Sequence, residues 1–194
     1  MPKIGMEPLR RASLVQATIH EIGRAQSLDV TVGQIAQKAG MSAALAHHYF
    51  GGKHRIFLAA MRHILTEYGS VARSHLEAAS TPRGRVEAII YASFDPICFA
   101  PATVAAWMTL YAAAPAHPGT KRLLEIYHAR LRSNLIHALR QIDDNAQNAI
   151  DNAEVIAALI DGLYLRAALS DAGCAAGAEQ AALRTLDRLL EGQR

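Results

Sequence analysis

Apolar residues recur along this chain at the three- and four-residue spacing of amphipathic α-helices. Near the start, one such stripe consists of Leu14, Val15, Thr18, Ile19 and Ile22. It predicts a first helix that begins near Glu7 and ends within 23–27. Because β-branched residues do not gather into runs of alternating polarity, we predict an all-α protein.

Capping residues predict a second, short helix after this one. Thr31 and Gln34 have the spacing of a capping box, in which the two side chains satisfy backbone N–H groups reciprocally. Ile35 and Ala36 supply the buried face of this helix, and Gly40 supplies the left-handed residue that ends it.

A third helix follows at once and completes a helix-turn-helix motif. Ser42 is a natural N-cap for a helix over 43–50, and the glycines at 51–52 end it. A fourth helix then begins at Lys53. Two short helices joined by a glycine turn fit the geometry in which the second helix lies in the DNA major groove.

Beyond Gly69 the pattern predicts longer helices with short breaks. The predicted helices cover 70–79, 83–97, 101–113, 119–141, 148–170 and 178–191. Turn-forming residues separate them at 80–82, 114–119, 143–145 and 171–173. We therefore expect a DNA-binding domain over 1–65, with its motif at about 31–50, and a helical domain over 66–194.

Charge is distributed unevenly between these two parts. Residues 1–65 contain eight Lys and Arg against three Asp and Glu, whereas residues 66–194 contain twelve against fourteen. A basic head on a slightly acidic body predicts that the head binds a polyanion.

The composition also argues against several other classes of protein. No apolar stretch reaches the ~18–20 residues needed to span a bilayer, and the polar, basic start does not resemble a secretory signal. Cys98 and Cys174 have neither metal-ligand spacing nor a disulfide framework. We expect a cytoplasmic protein without a membrane partner.

The adjacent histidines 47 and 48 do not indicate a metal site. Neighbouring residues on a helix point about 100° apart, so His47 and His48 cannot share one ion with good geometry. We expect no bound metal, and we expect His48 to pack against the rest of the head.

The segment from Thr31 to Ser42, followed by His48, Tyr49, Phe50 and Lys53, resembles the signature of the TetR family of repressors. This resemblance implies a homodimer that binds a palindromic operator in double-stranded DNA, with a ligand-binding and dimerising C-terminal domain. Carried over by position, the DNA-binding residues are Thr31, Ser42, Ala43, Ala44, Leu45, His47, Tyr49 and Lys53.

These positions predict different kinds of DNA contact. Lys53 and Thr31 lie at helix starts, where they can meet phosphates, and Tyr49 can contact phosphate, sugar or a thymine methyl group. His47, where the family often has tyrosine, can hydrogen-bond a base edge. Alanines at 43, 44 and 46 leave few side chains able to reach bases. We therefore expect sequence specificity to depend more on apolar contact, water and DNA shape. Gln26 stands where a glycine usually ends the first helix.

Two later segments have the features of a dimer interface. Residues 121–139 contain a leucine-rich stripe flanked by basic side chains. Residues 153–169 combine branched apolar residues with alanines and a glycine, which let helices approach closely. The alternative is that both are core helices of a monomer.

Segments 1–6, 94–95, 106–107, 132–135 and 158–170 resemble a choline-sensing subgroup of the TetR family. That resemblance implies repression of genes for choline uptake and glycine-betaine synthesis, relieved by choline. A quaternary ammonium is recognised by aromatic faces and a nearby carboxylate. The candidate ligand-binding residues are Tyr91, Phe94, Asp95, Phe99, Trp107, Tyr111, Asp161 and Tyr164.

Other interpretations of these residues stay open at this point. The aromatic residues can be core filler, and Asp161 can be a ligand carboxylate or a satisfied polar group at a dimer seam. The effector can be another cationic or lipophilic molecule. An all-α enzyme is the alternative from a different class, but the histidines at 117, 128 and 137 have no obvious partners. We predict no catalytic residue and no cofactor.

Overall fold

The computed structural model describes residues 5–170 and 175–191, which form α-helices, one 3-10 turn and no strand. The all-α prediction is confirmed. The helices are α1 (Met6–Ala25), α2 (Val32–Lys38), α3 (Ala43–Phe50), α4 (Lys53–Ala78), α5 (Pro82–Phe94), α6 (Pro101–Ala113), α7 (Pro118–Leu139), α8 (Ala146–Ala168) and α9 (Ala175–Glu191). The 3-10 turn, Ala114–Ala116, precedes α7.

Two predicted helix ends in the middle of the chain are wrong. Helix α4 continues through Gly69, because a glycine inside a helix lowers stability by only about 1 kcal/mol and does not stop it. Helix α5 ends at Phe94 rather than at 97. Asp95 precedes Pro96, and its ψ of 139° is the extended conformation to which a following proline restricts a residue. The predicted break at 171–173 lies outside the described residues.

The first compact unit consists of the chain up to Ile64 together with Pro101–Leu123. In this unit α1 packs against α2 and α6, and α2 packs against α3. Gly23 makes the α1–α6 approach possible, since a Cβ atom there would lie 2.4 Å from the carbonyl oxygen of Ala102. The predicted apolar face of α1 is confirmed, with all five residues of the stripe buried.

The second compact unit consists of Leu65–Ala100 and the chain from Leu124 onward. Helix α9 packs against α5 and α8 in this unit. Its fully buried side chains include Ile89, Ile90, Phe94, Leu135, Leu139 and Ile156. Helices α4 and α7 each contribute residues to both units.

The helices in the described ranges do not include one that is long and apolar enough to cross a membrane. The same ranges hold no group of three or more histidine, cysteine or acidic side chains arranged to bind a metal ion.

Candidate nucleic-acid interface and effector site

The helix-turn-helix motif begins at the predicted capping box. The backbone N–H of Gln34 donates to the hydroxyl of Thr31 at 3.2 Å, and the N–H of Thr31 donates to the side-chain oxygen of Gln34 at 2.7 Å. These two bonds satisfy backbone donors at the start of α2. The predicted role of Thr31 as the N-cap is confirmed.

Gly40 forms the turn between the two helices of the motif. Its φ of 67° is the left-handed conformation that favours glycine. The N–H of Met41 donates to the carbonyl of Ala36 at 2.8 Å, which closes the end of α2. Ile35 and Ala36 are fully buried, so a small side chain does lie where the helices meet.

The recognition helix α3 begins after Ser42, whose hydroxyl accepts from the N–H of Leu45 at 3.2 Å. The predicted DNA-binding residues divide by exposure: Thr31, Ser42, Ala43, Ala44, His47 and Lys53 are exposed, and Leu45 and Tyr49 are half-buried.

Ala46 is fully buried in the core of the head, which agrees with the expectation that it cannot reach a base. One expectation about α3 is wrong: His48 is exposed rather than packed against the head. Because it lies about 200° around the helix from Ala46, it points away from the core that Ala46 enters.

Tyr49 lies beside the first turns of α1. The guanidinium of Arg10 donates to the Tyr49 hydroxyl at 3.4 Å. The guanidinium of Arg11 lies 5.4 Å from the centre of the Tyr49 ring and 5.3 Å from that of Phe50. This contact was not predicted, although two adjacent arginines near the start of a basic head were a signal for it.

Lys53 is the first residue of α4, directly after the turn at Gly51, where φ is 70°. Its ammonium lies 5.4 Å from the centre of the Phe57 ring, and its side chain is exposed. An exposed cation on the first turn of a helix, where the N-terminal dipole is also positive, is well placed to bind an anion.

In the second unit, three of the predicted ligand-binding residues form one buried aromatic cluster. The Phe99 ring centre lies 5.2 Å from that of Phe94 and 4.8 Å from that of Tyr164, both in edge-to-face orientation. The hydroxyl of Tyr164 donates to the backbone carbonyl of Ser93 at 2.5 Å. We define Phe94, Phe99 and Tyr164 as the aromatic cluster.

Tyr68, on α4, is a further aromatic residue at this place that the sequence analysis missed. Burial raises the pKa of Tyr68 to about 12, with a smaller contribution from the nearby charge of Asp161. Burial also raises the pKa of Tyr164, with contributions from Tyr68, Asp161 and Asp95. Tyr68 and Asp161 therefore lie within electrostatic range of Tyr164, and both phenols stay protonated at neutral pH.

The two predicted carboxylates each lie beside a histidine. Asp161 and His128 are 3.3 Å apart between Oδ2 and Nε2, and Asp95 and His75 are 3.7 Å apart between the corresponding atoms. The expectation that His128 has no partner is therefore wrong. The ring centre of His117 is 4.3 Å from that of His54, and the Nε2 of His137 is 3.1 Å from the Nε2 of Gln141, so neither contact supplies a nucleophile or a carboxylate.

Cys98 is a buried thiol close to the aromatic cluster. Burial raises its pKa to about 12, and the charges of Asp95 and Glu67 add to this effect. The thiol therefore stays protonated and unreactive at neutral pH. Cys174 lies outside the described residues.

Three further predicted ligand-binding residues are aromatic. Trp107 and Tyr111 belong to the first unit, where their ring centres are 6.0 Å apart. Tyr91 is 37% exposed, and its ring lies 6.2 Å from that of His75. The structure thus brings Phe94, Phe99 and Tyr164 together, with Asp161 and Asp95 within electrostatic range of Tyr164.

A shallow groove lies between α7 and α8 of the second unit. Its volume is about 320 Å³, and its lining includes His128, Ala157, Ala158 and Asp161. A Cβ atom added at Gly162 would meet nothing within 4 Å. Apolar side chains are also exposed along α8, with Val155 at 44% and Leu165 at 48%.

Family models match both parts of the chain. Residues 82–191 match the C-terminal domain of BetI-type transcriptional repressors. Residues 14–60 match the model described as bacterial regulatory proteins of the tetR family.

Two curated relatives are similar over nearly the whole chain. The HTH-type transcriptional regulator BetI of Brucella melitensis biotype 2 is 53% identical over 180 residues, which cover 92% of this chain and 90% of that protein. BetI of Agrobacterium fabrum is 49% identical over 175 residues, which cover 89% of this chain and 83% of that protein. Both relatives are transcriptional regulators, which decides against the alternative of an all-α enzyme.

Solved structures of other regulators have the same fold. A transcriptional regulator from Pseudomonas aeruginosa PAO1 has a TM-score of 0.80 at 25% identity, covering 95% of this chain and 92% of that chain. A regulator from Saccharomonospora viridis, solved in complex with choline, has a TM-score of 0.78 at 19% identity. The match covers 91% of this chain and 95% of that chain. The chain therefore belongs to the TetR family of DNA-binding transcriptional regulators, among its BetI-type repressors.

Proposed function

We propose that this repressor is a homodimer that controls genes for choline uptake and glycine-betaine synthesis and releases its operator when choline binds. The observation that carries this proposal is the aromatic cluster, with Tyr68 and Asp161 within electrostatic range of Tyr164. The BetI relatives support the class of regulator, and the choline complex of the Saccharomonospora viridis regulator supports the kind of effector.

The chemistry of the cluster suits a quaternary ammonium. Such a cation has no N–H to donate, so aromatic faces and a carboxylate recognise it in place of hydrogen-bond acceptors. Phe94, Phe99 and Tyr164 supply buried rings, and Asp161 supplies negative charge within electrostatic reach of Tyr164. We add Tyr68 to the predicted set, in which Tyr91, Asp95, Trp107 and Tyr111 stay as predictions.

The outer face of α8 supports the proposed dimer. Ala157, Ala158 and Gly162 leave room for a partner helix, and the exposed Val155 and Leu165 would be removed from water in a four-helix bundle. A two-fold protein matches the symmetry of a palindromic operator. In this arrangement Asp161 lies at the seam as well as near the phenols, so its two predicted roles are compatible.

The residues of the head support a mode of operator binding in which contacts with the DNA sugar-phosphate backbone provide much of the affinity. On the exposed face of α3, Ala43 and Ala44 offer only methyl groups, and His47 is the residue able to hydrogen-bond a base edge. Lys53, Thr31 and Tyr49 would bind phosphates on either side.

Release of the operator requires choline to bind more tightly to a conformation that does not match the groove spacing. Helix α4 is the element through which this preference can act, because it carries both Lys53 and Tyr68. Choline binding at Tyr68 would therefore bear on the helix whose first turn binds phosphate.

Gel-shift titrations test the proposal with DNA upstream of this gene and its neighbours, with and without choline. We expect binding without choline and release at millimolar choline. Calorimetry should show binding of choline but not of its neutral isostere, in which carbon replaces the nitrogen. Normal operator binding with no heat from choline would overturn the choline assignment. Binding of a different cation or a lipophilic molecule would then favour the alternative effector class.

The aromatic cluster is tested separately with Phe99→Leu. This variant keeps an apolar side chain but removes a ring face, worth about 1–2 kcal/mol for a desolvated cation, which corresponds to about a tenfold change in affinity. Tyr91→Leu and Trp107→Leu are the comparison variants for the other predicted positions. If Phe99→Leu leaves choline affinity unchanged and Trp107→Leu lowers it, the site lies around Trp107 instead.

A further inference from the structure

The side chain of Arg10 on α1 lies against the phenol of Tyr49 at the end of α3. Both side chains are half-buried, and the Nη1 of Arg10 donates to the Tyr49 hydroxyl oxygen at 3.4 Å. We propose that Arg10 is a further DNA-binding residue, which together with Tyr49 clamps one phosphate of the operator backbone. This inference rests on the proposed DNA interface and adds a residue from outside the helix-turn-helix motif.

The hydrogen-bond donors of this pair are largely uncommitted. The guanidinium of Arg10 has five N–H donors, of which one faces Tyr49. The Tyr49 oxygen accepts that bond, so its single O–H proton is left to donate elsewhere. Among the described residues Tyr49 is the one hydrogen-bond partner of Arg10, and no carboxylate lies within ion-pair distance of it. The pair therefore offers positive charge and several donors at one point.

The neighbouring Arg11 shows what a structural arginine looks like in the same place. Its Nε lies 2.8 Å from a carboxylate oxygen of Glu7, and its guanidinium packs over the rings of Tyr49 and Phe50. Its charge is paired with Glu7 within α1, and its planar group packs against two rings. The two adjacent arginines thus have different surroundings, and only Arg10 is left to bind an external anion.

The position of the pair favours a phosphate over a base edge. Tyr49 is half-buried on the flank of α3, whereas the exposed face of that helix carries Ala43, Ala44 and His47. Groups on the flank of a recognition helix meet the sugar-phosphate backbone, where contacts position the protein without reading sequence. The fork of a guanidinium also matches two phosphate oxygens, and a phenol O–H can donate to one of them.

The salt dependence of DNA binding tests this inference with the full-length protein. Each phosphate neutralised by a cation contributes about 0.9 to the slope of log K against log salt. We expect Arg10→Gln to reduce the slope by about this amount per protomer and to weaken binding equally on operator and scrambled duplexes. Arg10→Lys keeps the charge but not the fork, so it should preserve the slope while weakening binding.

Two matched variants separate a phosphate contact from a structural role. Arg11→Gln removes a charge one residue away and should leave the slope unchanged, even if it lowers the melting temperature. Tyr49→Phe removes a neutral donor and should weaken binding on all sequences without a change of slope. An unchanged slope in Arg10→Gln, with normal operator binding by the unmodified protein, would overturn the role of Arg10 and leave the rest of the interface standing. Failure of the unmodified protein to bind any operator fragment would instead overturn the proposed DNA interface as a whole.

Arg10→Lys also keeps the inference testable if Arg10→Gln does not fold. If Arg10→Lys is folded and binds both duplexes as tightly as the unmodified protein, the proposed fork contact is wrong. Weaker binding at an unchanged slope would support it.

Discussion

The phenol of Tyr164 on α8 donates its hydrogen bond to the backbone carbonyl of Ser93, in the last turn of α5. A helix leaves its last four carbonyls without intrahelical partners, and this one is buried. Tyr164 therefore satisfies the end of α5 at the place where the chain turns toward Asp95. The same residue contributes its ring to the aromatic cluster. One side chain therefore both stabilises the end of α5 and forms part of the candidate effector site.

Tyr164→Phe should separate these two contributions. The variant keeps the ring but leaves the Ser93 carbonyl without this donor, so we expect unfolding free energy to fall by about 1–2 kcal/mol. Choline affinity should change less than stability, because the aromatic face remains. Urea unfolding and calorimetry measure the two effects. Tyr91→Phe is the matched control, since its exposed hydroxyl should matter little. Equal stability of the two variants would contradict the assigned role.

Gly23 gives a second prediction, on the packing of α1 against α6. A methyl group at this position would lie 2.4 Å from the carbonyl oxygen of Ala102, and a backbone atom cannot move aside as a side-chain end can. We expect Gly23→Ala to lower the unfolding free energy by about 1–3 kcal/mol, as overpacking does elsewhere. Thermal and urea unfolding provide the measurement.

Gly33→Ala is the control for that prediction. At Gly33, on α2, an added Cβ would meet only the Thr31 hydroxyl at 3.7 Å, which is an ordinary contact. Alanine is also a better helix former than glycine, so this variant should gain about 0.5–1 kcal/mol. If Gly23→Ala gains stability as Gly33→Ala does, helix propensity and not the contact with Ala102 determines the outcome at Gly23.

The helix-turn-helix motif was predictable because its signals are local. Thr31 with Gln34, Gly40 and Ser42 each act on a backbone group within three or four residues, so sequence spacing alone identifies them. Gln26 belongs to the same kind of feature: its φ of 47° is the left-handed conformation that the missing glycine would adopt. The departure from the family pattern changed the residue but not the backbone.

The effector site was only partly predictable because it depends on contacts distant in sequence. Phe94 and Phe99 were found through their closeness along the chain, but Tyr68 comes from α4, which has no pattern that indicates a ligand. Trp107 and Tyr111 do share a helical face, as predicted, yet this local relation does not specify which compact unit they join. Periodicity identifies a buried face, but the residues that meet across it depend on how the helices pack.

Lys53 gives a third prediction, on DNA binding. We expect Lys53→Ala to weaken binding similarly on operator and scrambled duplexes and to reduce the salt slope by about 0.9 for each phosphate that the lysine neutralises. Fluorescence anisotropy across a salt series measures both quantities. Lys38→Ala serves as the control, because Lys38 is an exposed lysine at the other end of α2 from Thr31. Weaker binding to the operator alone would mean that Lys53 contacts a base edge.

The raised pKa of Tyr68 predicts how stability responds to alkaline pH. The ordinary phenol pKa is about 10, and burial raises that of Tyr68 to about 12 in the folded protein. Between these two pKa values the unfolded chain loses the Tyr68 phenol proton while the folded protein keeps it. The stability of the folded protein that depends on this proton is therefore fully present below the pKa of the unfolded chain. This stability is lost as the pH rises toward the pKa of Tyr68 in the folded protein.

Tyr68→Phe removes this titration and should therefore make the protein less sensitive to alkali. We expect the unmodified protein to lose on the order of 1 kcal/mol more stability than the variant between neutral pH and the upper end of this window, a modest figure because the side chain is only half-buried by surface area. Urea unfolding at neutral and alkaline pH measures this difference in stability loss. Tyr91→Phe is the control for the loss of an exposed phenol. If Tyr68→Phe and Tyr91→Phe lose the same stability on going to high pH, Tyr68 ionises as freely in the folded protein as in the unfolded chain, and its assigned burial beside Asp161 is wrong.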